Sequence, residues 1–269
     1  MKKAVFALSV PESAWVREIL PDVHPGDLPL AGMTFAEYAL EWAETLGFEE
    51  AVLLDFGEPG CPAARLAARP SGNIRVSRRE VPAGVSPERA AGDEGDGATL
   101  VRGLVLAGFA VDSVPAWHRL NMKLLGSGEV GGVRFVLPGY SAEPGAFIGR
   151  NVGMERGVEV KKPVLLQDGS WCARNVRLDG FCAVGRHSFV GARTRLERTI
   201  VGNDTYVGTD LELVDKIVVG HRVIDGPTGV WTDIGERGVA GALRPDLTVP
   251  RWLSRLAAAV RGRSCGRRR

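Results

Sequence analysis

The fold of this chain is decided by residues 148–200, which read IGRNVGMERGVEVKKPVLLQDGSWCARNVRLDGFCAVGRHSFVGARTRLERTI. Every sixth residue of this stretch is apolar: Ile148, Met154, Val160, Leu166, Cys172, Leu178, Val184, Val190 and Leu196. A second series lies four residues further on in each hexad and is small or β-branched: Val152, Val158, Val164, Ser170, Val176, Cys182, Ser188, Thr194 and Ile200. A period of six therefore governs the stretch.

A period of six fits neither an α-helix, whose period is 3.6, nor a half-buried strand, whose period is 2. Two inward positions in every six residues predict short strands joined by turns around a three-sided prism. The phase slips by one after residue 200, and the two series continue as Val201, Val207, Leu213 and Val219 and as Thr205, Leu211, Ile217 and Val223. We predict a parallel β-helix of about four coils over 148–224. A β-sandwich with fortuitous spacing is the alternative.

The residues before the repeat predict an α/β domain. Residues 3–10 and 51–56 have the composition of buried strands. Between them, 35–46 carries apolar residues at helical spacing, with Thr34 as N-cap and Gly47 as the stop. This is a β-α-β unit. Strands at 99–106 and 133–137 and a helix at 115–125 complete the predicted domain, and 82–97 is predicted to be a flexible loop.

Charge is concentrated at the end of the chain. The net charge is +2, but the last nineteen residues hold seven arginines and no acid, so the body carries about −5. Such a body is unlike a nucleic-acid-binding domain, and no nucleic-acid partner is expected. The four cysteines have no CxxC spacing, which predicts reduced thiols without zinc. The opening residues predict a strand rather than a signal peptide, and a cytoplasmic location is expected.

The last part of the chain predicts an amphipathic helix, because Trp252, Leu253, Leu256, Ala259 and Val260 fall on one stripe. A basic helix of this kind can lie on anionic lipid at the inner membrane surface. The candidates for membrane contact are Arg251, Trp252, Arg255, Arg261 and Arg263. The alternative is a helix docked on the open end of the β-helix, followed by a basic tail.

Several stretches occur in the order found in one known family. They are KAVFAL at 3–8, LPLAG at 28–32, FAEYALEWAETLGFEEAVLL at 35–54, VPAWHRLNMKLLG at 114–126 and the hexapeptide repeat. In this order the chain resembles the sugar-1-phosphate nucleotidyltransferases, particularly the mannose-1-phosphate guanylyltransferase branch. The resemblance implies a truncated Rossmann-like nucleotidyltransferase domain at 1–140 and a left-handed parallel β-helix at 141–226. Residues 227–269 are predicted from their charge and apolar spacing to form a basic tail with the amphipathic helix. Left-handedness follows only from the likeness to hexapeptide-repeat proteins.

The chain departs from this family where the family binds phosphates. The family has a glycine-rich loop with an arginine, then a lysine and a metal-binding aspartate. Here 4–25 contains no glycine, and no lysine lies between Lys3 and Lys123. Bulky Trp15, Val16 and Ile19 predict packing instead of a phosphate-binding loop. Arg17 remains as a lone candidate, with a surface charge as the favoured interpretation. The one similar aspartate stretch, 91–96, follows polar sequence and predicts no metal site.

Three functions are compatible with these residues. In the first, a nucleotidyltransferase-like protein of nucleotide-sugar or surface-polysaccharide metabolism no longer catalyses and binds a nucleotide sugar or a catalytic relative. No catalytic residue or cofactor is then expected, and magnesium and nucleotide would be needed only if activity were retained. In the second, a hexapeptide-repeat acyltransferase uses His187, at an outward position, as general base. In the third, the β-helix is a module that forms homo-oligomers through its open coil edges.

Overall fold

The computed structural model describes residues 2–57, 61–62, 65–66, 74–95, 97–236 and 238–243. The N-terminal part contains a four-stranded, fully parallel sheet. Its strands lie in the spatial order Arg75–Glu80, Glu50–Asp55, Lys3–Ala7 and Thr99–Arg102. The two central strands, KAVFA and EAVLLD, are almost fully buried because helices and loops cover both faces of a parallel sheet. The predicted α/β architecture of this part is confirmed.

The helices with described bounds are α1 (Trp15–Ile19), α2 (Phe35–Thr45), α3 (Pro87–Gly92) and α4 (Val114–Ser127). Helix α2 begins at the predicted N-cap, where Thr34 Oγ1 accepts a hydrogen bond from the Glu37 amide at 3.4 Å and Glu37 Oε2 accepts from the Thr34 amide at 2.6 Å. The chain leaves this helix through Gly47 in a left-handed conformation. Short 3-10 helices occupy Pro11–Ser13 and Pro25–Asp27.

One prediction for this domain is wrong, and one strand was not predicted. The expected flexible loop at 82–97 contains α3, whose N-cap Ser86 accepts from the Arg89 amide at 3.3 Å. The strand Arg75–Glu80 was not predicted, because RVSRRE is a polar edge strand without an apolar face. Short antiparallel pairs make up the rest: Pro29–Leu30 with Met33–Thr34, Val105–Leu106 with Phe109–Ala110, and Glu129–Val130 with Val133–Arg134.

The second part is a three-sided parallel β-helix, in which the chain visits three parallel sheets in rotation. Face A contains the strands Ala146–Ile148, Val164–Leu166, Cys182–Val184, Ile200–Val201 and Lys216–Val219. Face B contains Gly153–Met154, Trp171–Cys172, Phe189–Val190 and Thr205–Val207. Face C contains Glu159–Lys161, Arg177–Asp179, Arg195–Glu197 and Glu212–Val214. The all-β prediction is confirmed at this level, and the handedness stays a prediction.

Antiparallel strands extend these sheets at both ends. Tyr140–Glu143 precedes the first strand of face A, while Arg222–Asp225 and Trp231–Asp233 follow its last strand. Ala240–Ala242 pairs with Thr205–Val207 on face B. The sheets therefore continue past the predicted limit at residue 226, because antiparallel strands carry no period of six and the repeat pattern cannot reveal them.

The predicted inward series forms the core of the β-helix from Leu166 onward. In the first coil, however, Met154 is 48% exposed and Val160 is 40% exposed, because no coil precedes it. The predicted slip between Leu196 and Val201 is confirmed, but a second slip, between Leu213 and Val218, was not predicted. Val184 pairs with Val201, and Val201 pairs with Val218. The coils therefore shorten from eighteen to seventeen residues.

The shortening removes one residue from the corner that leads from face C to face A. Phe181 holds the left-handed position at this corner in the second coil, while Arg198 holds it in the third. As a result Thr199, not Ile200, is the buried corner residue, and Val218 rather than Val219 continues the inward series. Ile200 and Ile217, predicted to point inward, belong to the core on the other side of face A.

The outward side of face A shares one hydrophobic core with the N-terminal domain. Its contributors are Leu165, Ala183, Ile200, Ile217 and Ile224, packed in the cluster that contains Trp117, Leu120 and Leu124 of α4. Helix α4 runs along the stack of coils, since its start contacts Gly229 and Gly126 near its end contacts Phe181. Between them, His118 Nε2 lies 2.9 Å from the Arg198 carbonyl oxygen.

No helix in the described parts of the chain has both the length and the apolar composition needed to cross a lipid bilayer.

Candidate functional site

The first candidate site is the carboxyl edge of the N-terminal sheet, the usual place for a ligand in a parallel α/β sheet. A cleft of about 410 Å³ lies there, lined by residues 9–11 and 13–14 together with Arg17, Pro25, Phe56, Val85 and Pro87. Most of this lining is apolar or backbone. Arg17 is half-buried in it, so the interpretation of Arg17 as an ordinary surface charge is corrected.

The chain after the first strand closes this edge with its own side chains. Ser13 Oγ donates to the Leu8 carbonyl at 2.7 Å and accepts from the Val10 amide at 3.1 Å, which fixes a tight turn. Val16 and Ile19 of α1 then enter the core, as predicted. Trp15 packs against Trp117 with ring centroids 6.3 Å apart. Residues 8–20, which the structure describes in full, therefore offer no glycine-rich run of backbone amides to surround phosphate groups.

The acidic groups Asp93 and Glu94 lie toward the amino ends of the strands, away from this edge, and have partners within the protein. Arg79 contacts Asp93 at 2.8 Å and Glu94 at 2.7 Å, and Lys3 contacts Glu94 at 3.2 Å. Burial opposes the charge on Glu94, but hydrogen bonds from Arg79 and Lys3 outweigh it and lower the pKa of Glu94. Among the described residues, which leave out Asp96, no group of three or more His, Cys, Asp or Glu is arranged to hold a metal ion.

Asp55 is a buried carboxylate that the sequence analysis did not single out. It ends the central strand and accepts from Arg78 Nε at 2.7 Å and from the Gly57 amide at 2.9 Å. The hydrogen bond to Asp55 raises the pKa of Arg78. Because its oxygens are used in this way, we assign Asp55 a role in holding the strand ends together.

The second candidate site is the corner between faces A and B of the β-helix. Four turns stack here, at 149–151, 167–169, 185–187 and 202–204, and each has its third residue in the left-handed conformation. A side chain of one turn binds the backbone of the turn one coil before it. Asp168 Oδ1 accepts from the Arg150 amide at 2.6 Å, and Asn203 Oδ1 accepts from the Arg186 amide at 2.8 Å.

His187 belongs to this corner and has an outward, 69% exposed side chain. Its ring lies over Gly169, where an added Cβ would come within 2.7 Å of His187 Cδ2. On the other side, His187 Nδ1 lies 3.4 Å from Asp204 Oδ1. A carboxylate at Nδ1 orients an imidazole and leaves Nε2 free to accept a proton. The sequence analysis identified His187 but not Asp204.

Beside this corner lies a polar cleft of about 400 Å³, at the carboxyl ends of the face A strands. We call it the corner cleft. The segment 138–140 forms one wall, and the other is formed by Gly149, Arg150, Gln167, Asp168 and Arg186. Gln167 is buried, and its Nε2 donates to the carbonyl of Gly32, which joins the cleft to the N-terminal domain. The sequence analysis did not predict this site.

Face B carries an outward row of aromatic side chains, Trp171, Phe189 and Tyr206, in direct register. Phe189 and Tyr206 stack with centroids 5.6 Å apart and planes at 11°. Trp171 Nε1 donates to Glu155 Oε1 at 3.4 Å. Because the ring faces of Phe189 and Tyr206 lie against each other, the row stabilises neighbouring coils. The sequence signal for this row is the spacing of its aromatic residues, which lie eighteen and then seventeen positions apart, the length of one coil.

The cysteines that lie within the β-helix are structural. Burial raises the pKa of Cys172 and of Cys182 to about 12, so neither is a thiolate near neutral pH. The proposed membrane-contact residues Arg251, Trp252, Arg255, Arg261 and Arg263 lie outside the described residues.

Comparison with known proteins gives weak similarities. No protein-family model matches the chain. The bifunctional protein GlmU of Geobacter sulfurreducens is 29% identical over 118 residues, covering 40% of this chain and 24% of that protein. GlmU of Aromatoleum aromaticum is 27% identical over 124 residues, which cover 43% of this chain and 27% of that protein. The chain thus spans about a quarter of the length of the curated relatives it matches.

Among solved structures, the acetyltransferase domain of PglB from Neisseria gonorrhoeae aligns with 82% of this chain and 97% of its own length. That alignment has 15% identity and a TM-score of 0.17, at which it does not define a shared fold. The chain therefore has a weak homology to GlmU, which agrees at the family level with the resemblance to sugar-1-phosphate nucleotidyltransferases that carry a hexapeptide-repeat region.

Proposed function

We propose that this protein is a nucleotidyltransferase-like protein of nucleotide-sugar or surface-polysaccharide metabolism that binds a nucleotide sugar, or a catalytic relative, without transferring nucleotides. One observation carries the proposal: the chain after the first strand packs the buried side chains of Ser13, Val16 and Ile19 at the carboxyl edge of the N-terminal sheet, where the family it resembles has a glycine-rich loop. Nucleotidyl transfer needs backbone amides, a cation and a metal ion around the phosphates. The weak homology to GlmU supports the class of protein.

Other parts of the proposal follow from the same resemblance. We expect a truncated nucleotidyltransferase domain and a left-handed β-helix, since hexapeptide-repeat proteins have that hand. A cytoplasmic location is part of the proposal, as are membrane contact through the tail and homo-oligomers formed through the β-helix.

The lost transfer activity is tested by an assay for pyrophosphate. The protein is mixed with each nucleoside triphosphate, a panel of sugar 1-phosphates and Mg²⁺, and an active GlmU in the same plate serves as positive control. We expect no pyrophosphate above the protein-free background. Turnover with any pair would contradict the proposal.

Binding is tested separately by thermal shift. A nucleotide sugar at 100 times its dissociation constant stabilises the folded state by about 2.7 kcal/mol, which is a rise of several degrees in Tm. A flat response to every nucleotide sugar would count against the binding function.

A second function, acyl transfer, is favoured by the pairing of His187 with Asp204. In that reaction His187 Nε2 accepts the proton of a substrate amine or hydroxyl as this group attacks the thioester carbonyl of an acyl-coenzyme A. The bond to sulfur breaks, and the thiolate leaves and takes up a proton. Asp204 would hold the Nδ1 proton and stabilise the imidazolium.

The acyl-transfer candidate is tested by thiol release from acetyl-coenzyme A with amino sugars as acceptors. His187→Ala should abolish any activity, and Asp204→Asn should lower it by about 10- to 100-fold. The matched control is His221→Ala, since His221 is also exposed and lies 3.6 Å from Asp233. Equal activity in the His187 and His221 variants would remove this candidate.

A further inference from the structure

The corner cleft contains a half-buried arginine, Arg186, that differs from several arginines of the same β-helix in its ion pairing. Elsewhere on the β-helix Arg193 binds Asp210, Arg195 binds Asp179, and Arg198 binds Asp215. Arg186 is half-buried, yet within the described residues no carboxylate lies within 4 Å of its guanidinium. A partly desolvated cation without a counterion favours an anionic ligand.

Arg150 supplies a second cation to the same cleft. Its Nε lies 3.9 Å from Asp168 Oδ2, at the limit of an ion pair. The other oxygen of Asp168 already accepts from the Arg150 amide. The cleft therefore holds two guanidinium groups against one carboxylate, a net charge of about +1 when all three are ionised. Arg150 and Arg186 occupy equivalent positions two coils apart, so about 9.5 Å separates their backbones. That spacing suits two linked phosphoryl groups better than one.

The walls of the cleft depend on close backbone approaches. A Cβ on Gly149 would lie 2.5 Å from the Asp168 amide nitrogen, so only glycine fits there. Gly139, with a φ of +115°, brings its segment against the backbone of Ile148. These approaches leave a cleft of about 400 Å³, within the usual range for small-molecule sites.

The remaining polar groups suit the other parts of a nucleotide sugar. Tyr140 is 69% exposed at the rim and offers a ring for stacking a base. Gln167 uses its Nε2 on Gly32, which leaves its amide oxygen as an acceptor for a sugar hydroxyl. Asp168 Oδ2 can accept from a second hydroxyl. We propose that the corner cleft binds the diphosphate of a nucleoside diphosphate sugar between Arg150 and Arg186. This inference rests on the proposed function for the class of ligand.

The test is calorimetric titration of the full chain with UDP- and GDP-linked sugars at low salt. Arg186→Ala and Arg150→Ala should each weaken binding at least 10-fold, because each loses charge-assisted hydrogen bonds to phosphate. Arg186→Lys should recover part of the affinity. The matched control is Arg193→Ala, an exposed arginine on the same β-helix, which should stay within about twofold of the unchanged chain. Melting curves of each variant confirm folding.

The outcomes separate the two proposals. Binding that Arg186→Ala or Arg150→Ala weakens and Arg193→Ala does not would support the corner cleft. Binding that is equally tight in all four variants would overturn the corner cleft and leave the proposed function standing. If the unchanged chain bound none of these nucleotide sugars, the corner cleft as a nucleotide-sugar site would be overturned, and the proposed function would be reduced to binding a catalytic relative.

Discussion

Two clefts of nearly equal volume, about 410 and about 400 Å³, lie at the carboxyl ends of parallel strands in two parts of this molecule. At the N-terminal sheet, the chain that leaves the strand turns back and packs Ser13 and α1 against the edge, so that the cleft there is mostly apolar. At the β-helix corner, stacked turns bind one another through their backbones and leave Arg150 and Arg186 at the surface of the cleft. The N-terminal edge therefore contributes to the stability of the fold, whereas the corner cleft presents two guanidinium groups to which an anionic ligand can bind.

The comparison predicts that the N-terminal edge is sensitive to loss of apolar volume. Ile19→Ala removes a buried side chain of α1 and should lower the free energy of unfolding by about 2–4 kcal/mol. Glu18→Ala, at the exposed neighbouring position, is the control and should change it by less than about 0.5 kcal/mol. Urea denaturation measures both. If Ile19→Ala and Glu18→Ala had the same free energy of unfolding, α1 would not contribute to the packing at this edge.

The hydrogen bonds of Ser13 should matter next. Ser13→Ala leaves the Leu8 carbonyl and the Val10 amide without their buried partner, at a cost of about 1–3 kcal/mol. Ser127→Ala, at an exposed serine at the end of α4, serves as the control and should be near neutral. A neutral Ser13→Ala would mean that the turn at 8–14 is held by packing alone.

At the corner, Gly169→Ala tests whether the stacked turns position His187. The φ of Gly169 is +70°, and the new Cβ would meet the imidazole, so a loss of about 1–2 kcal/mol is expected. The His187 ring signals should also shift in an NMR spectrum. Gly235→Ala, where a Cβ meets nothing within 4 Å, should leave both unchanged. An unmoved His187 signal would contradict the stacking of this ring on Gly169.

The smallest expected effect on stability concerns Asp225. Its carboxylate has hydrogen-bonding partners within the protein, whereas the guanidinium of Arg186 has no carboxylate beside it among the described residues. Hydrogen bonds from Lys216 and then Thr228 lower the pKa of Asp225 to about 2. An unfolded aspartate has a pKa near 3.9, so the stabilisation by Asp225 is complete above about pH 4 and is lost as the pH falls through about 2. Asp225→Asn should flatten the acid limb of stability against pH, by less than about 1 kcal/mol. An unchanged acid limb would contradict the shift.

Much of the β-helix could be predicted because every coil needs apolar residues at the same inward positions. The wrong assignment of Ile200 to the inward series has a physical reason: Thr199 and Ile200 are both buried, one inside the β-helix and the other against the N-terminal domain. A period in the sequence cannot tell these two environments apart. Helix α3 was missed although Ser86 and Pro87 are a readable N-cap and first position, because polar neighbours favoured a loop.

The candidate sites were less predictable than the fold. His187 stood out by its residue type and outward position. Its partner Asp204 is seventeen residues away, and that pairing requires the exact length of a coil. The corner cleft depends on 138–140 meeting three turns of the β-helix. A contact between distant segments leaves no pattern in the local sequence. Nothing in the sequence therefore distinguishes Arg186 from the nearby arginines that form ion pairs.

Helix α4 limits how this β-helix can change in length. Stacked repeats usually contact only their neighbours, so whole repeats can be gained or lost. Here fourteen residues, about 21 Å of helix, lie along face A, whose outward row spans four strand spacings, or about 19 Å. Deleting one coil would leave a turn of α4 overhanging water, and inserting one would expose a new apolar row. The count of repeats in this molecule is therefore tied to the length of a single helix outside them.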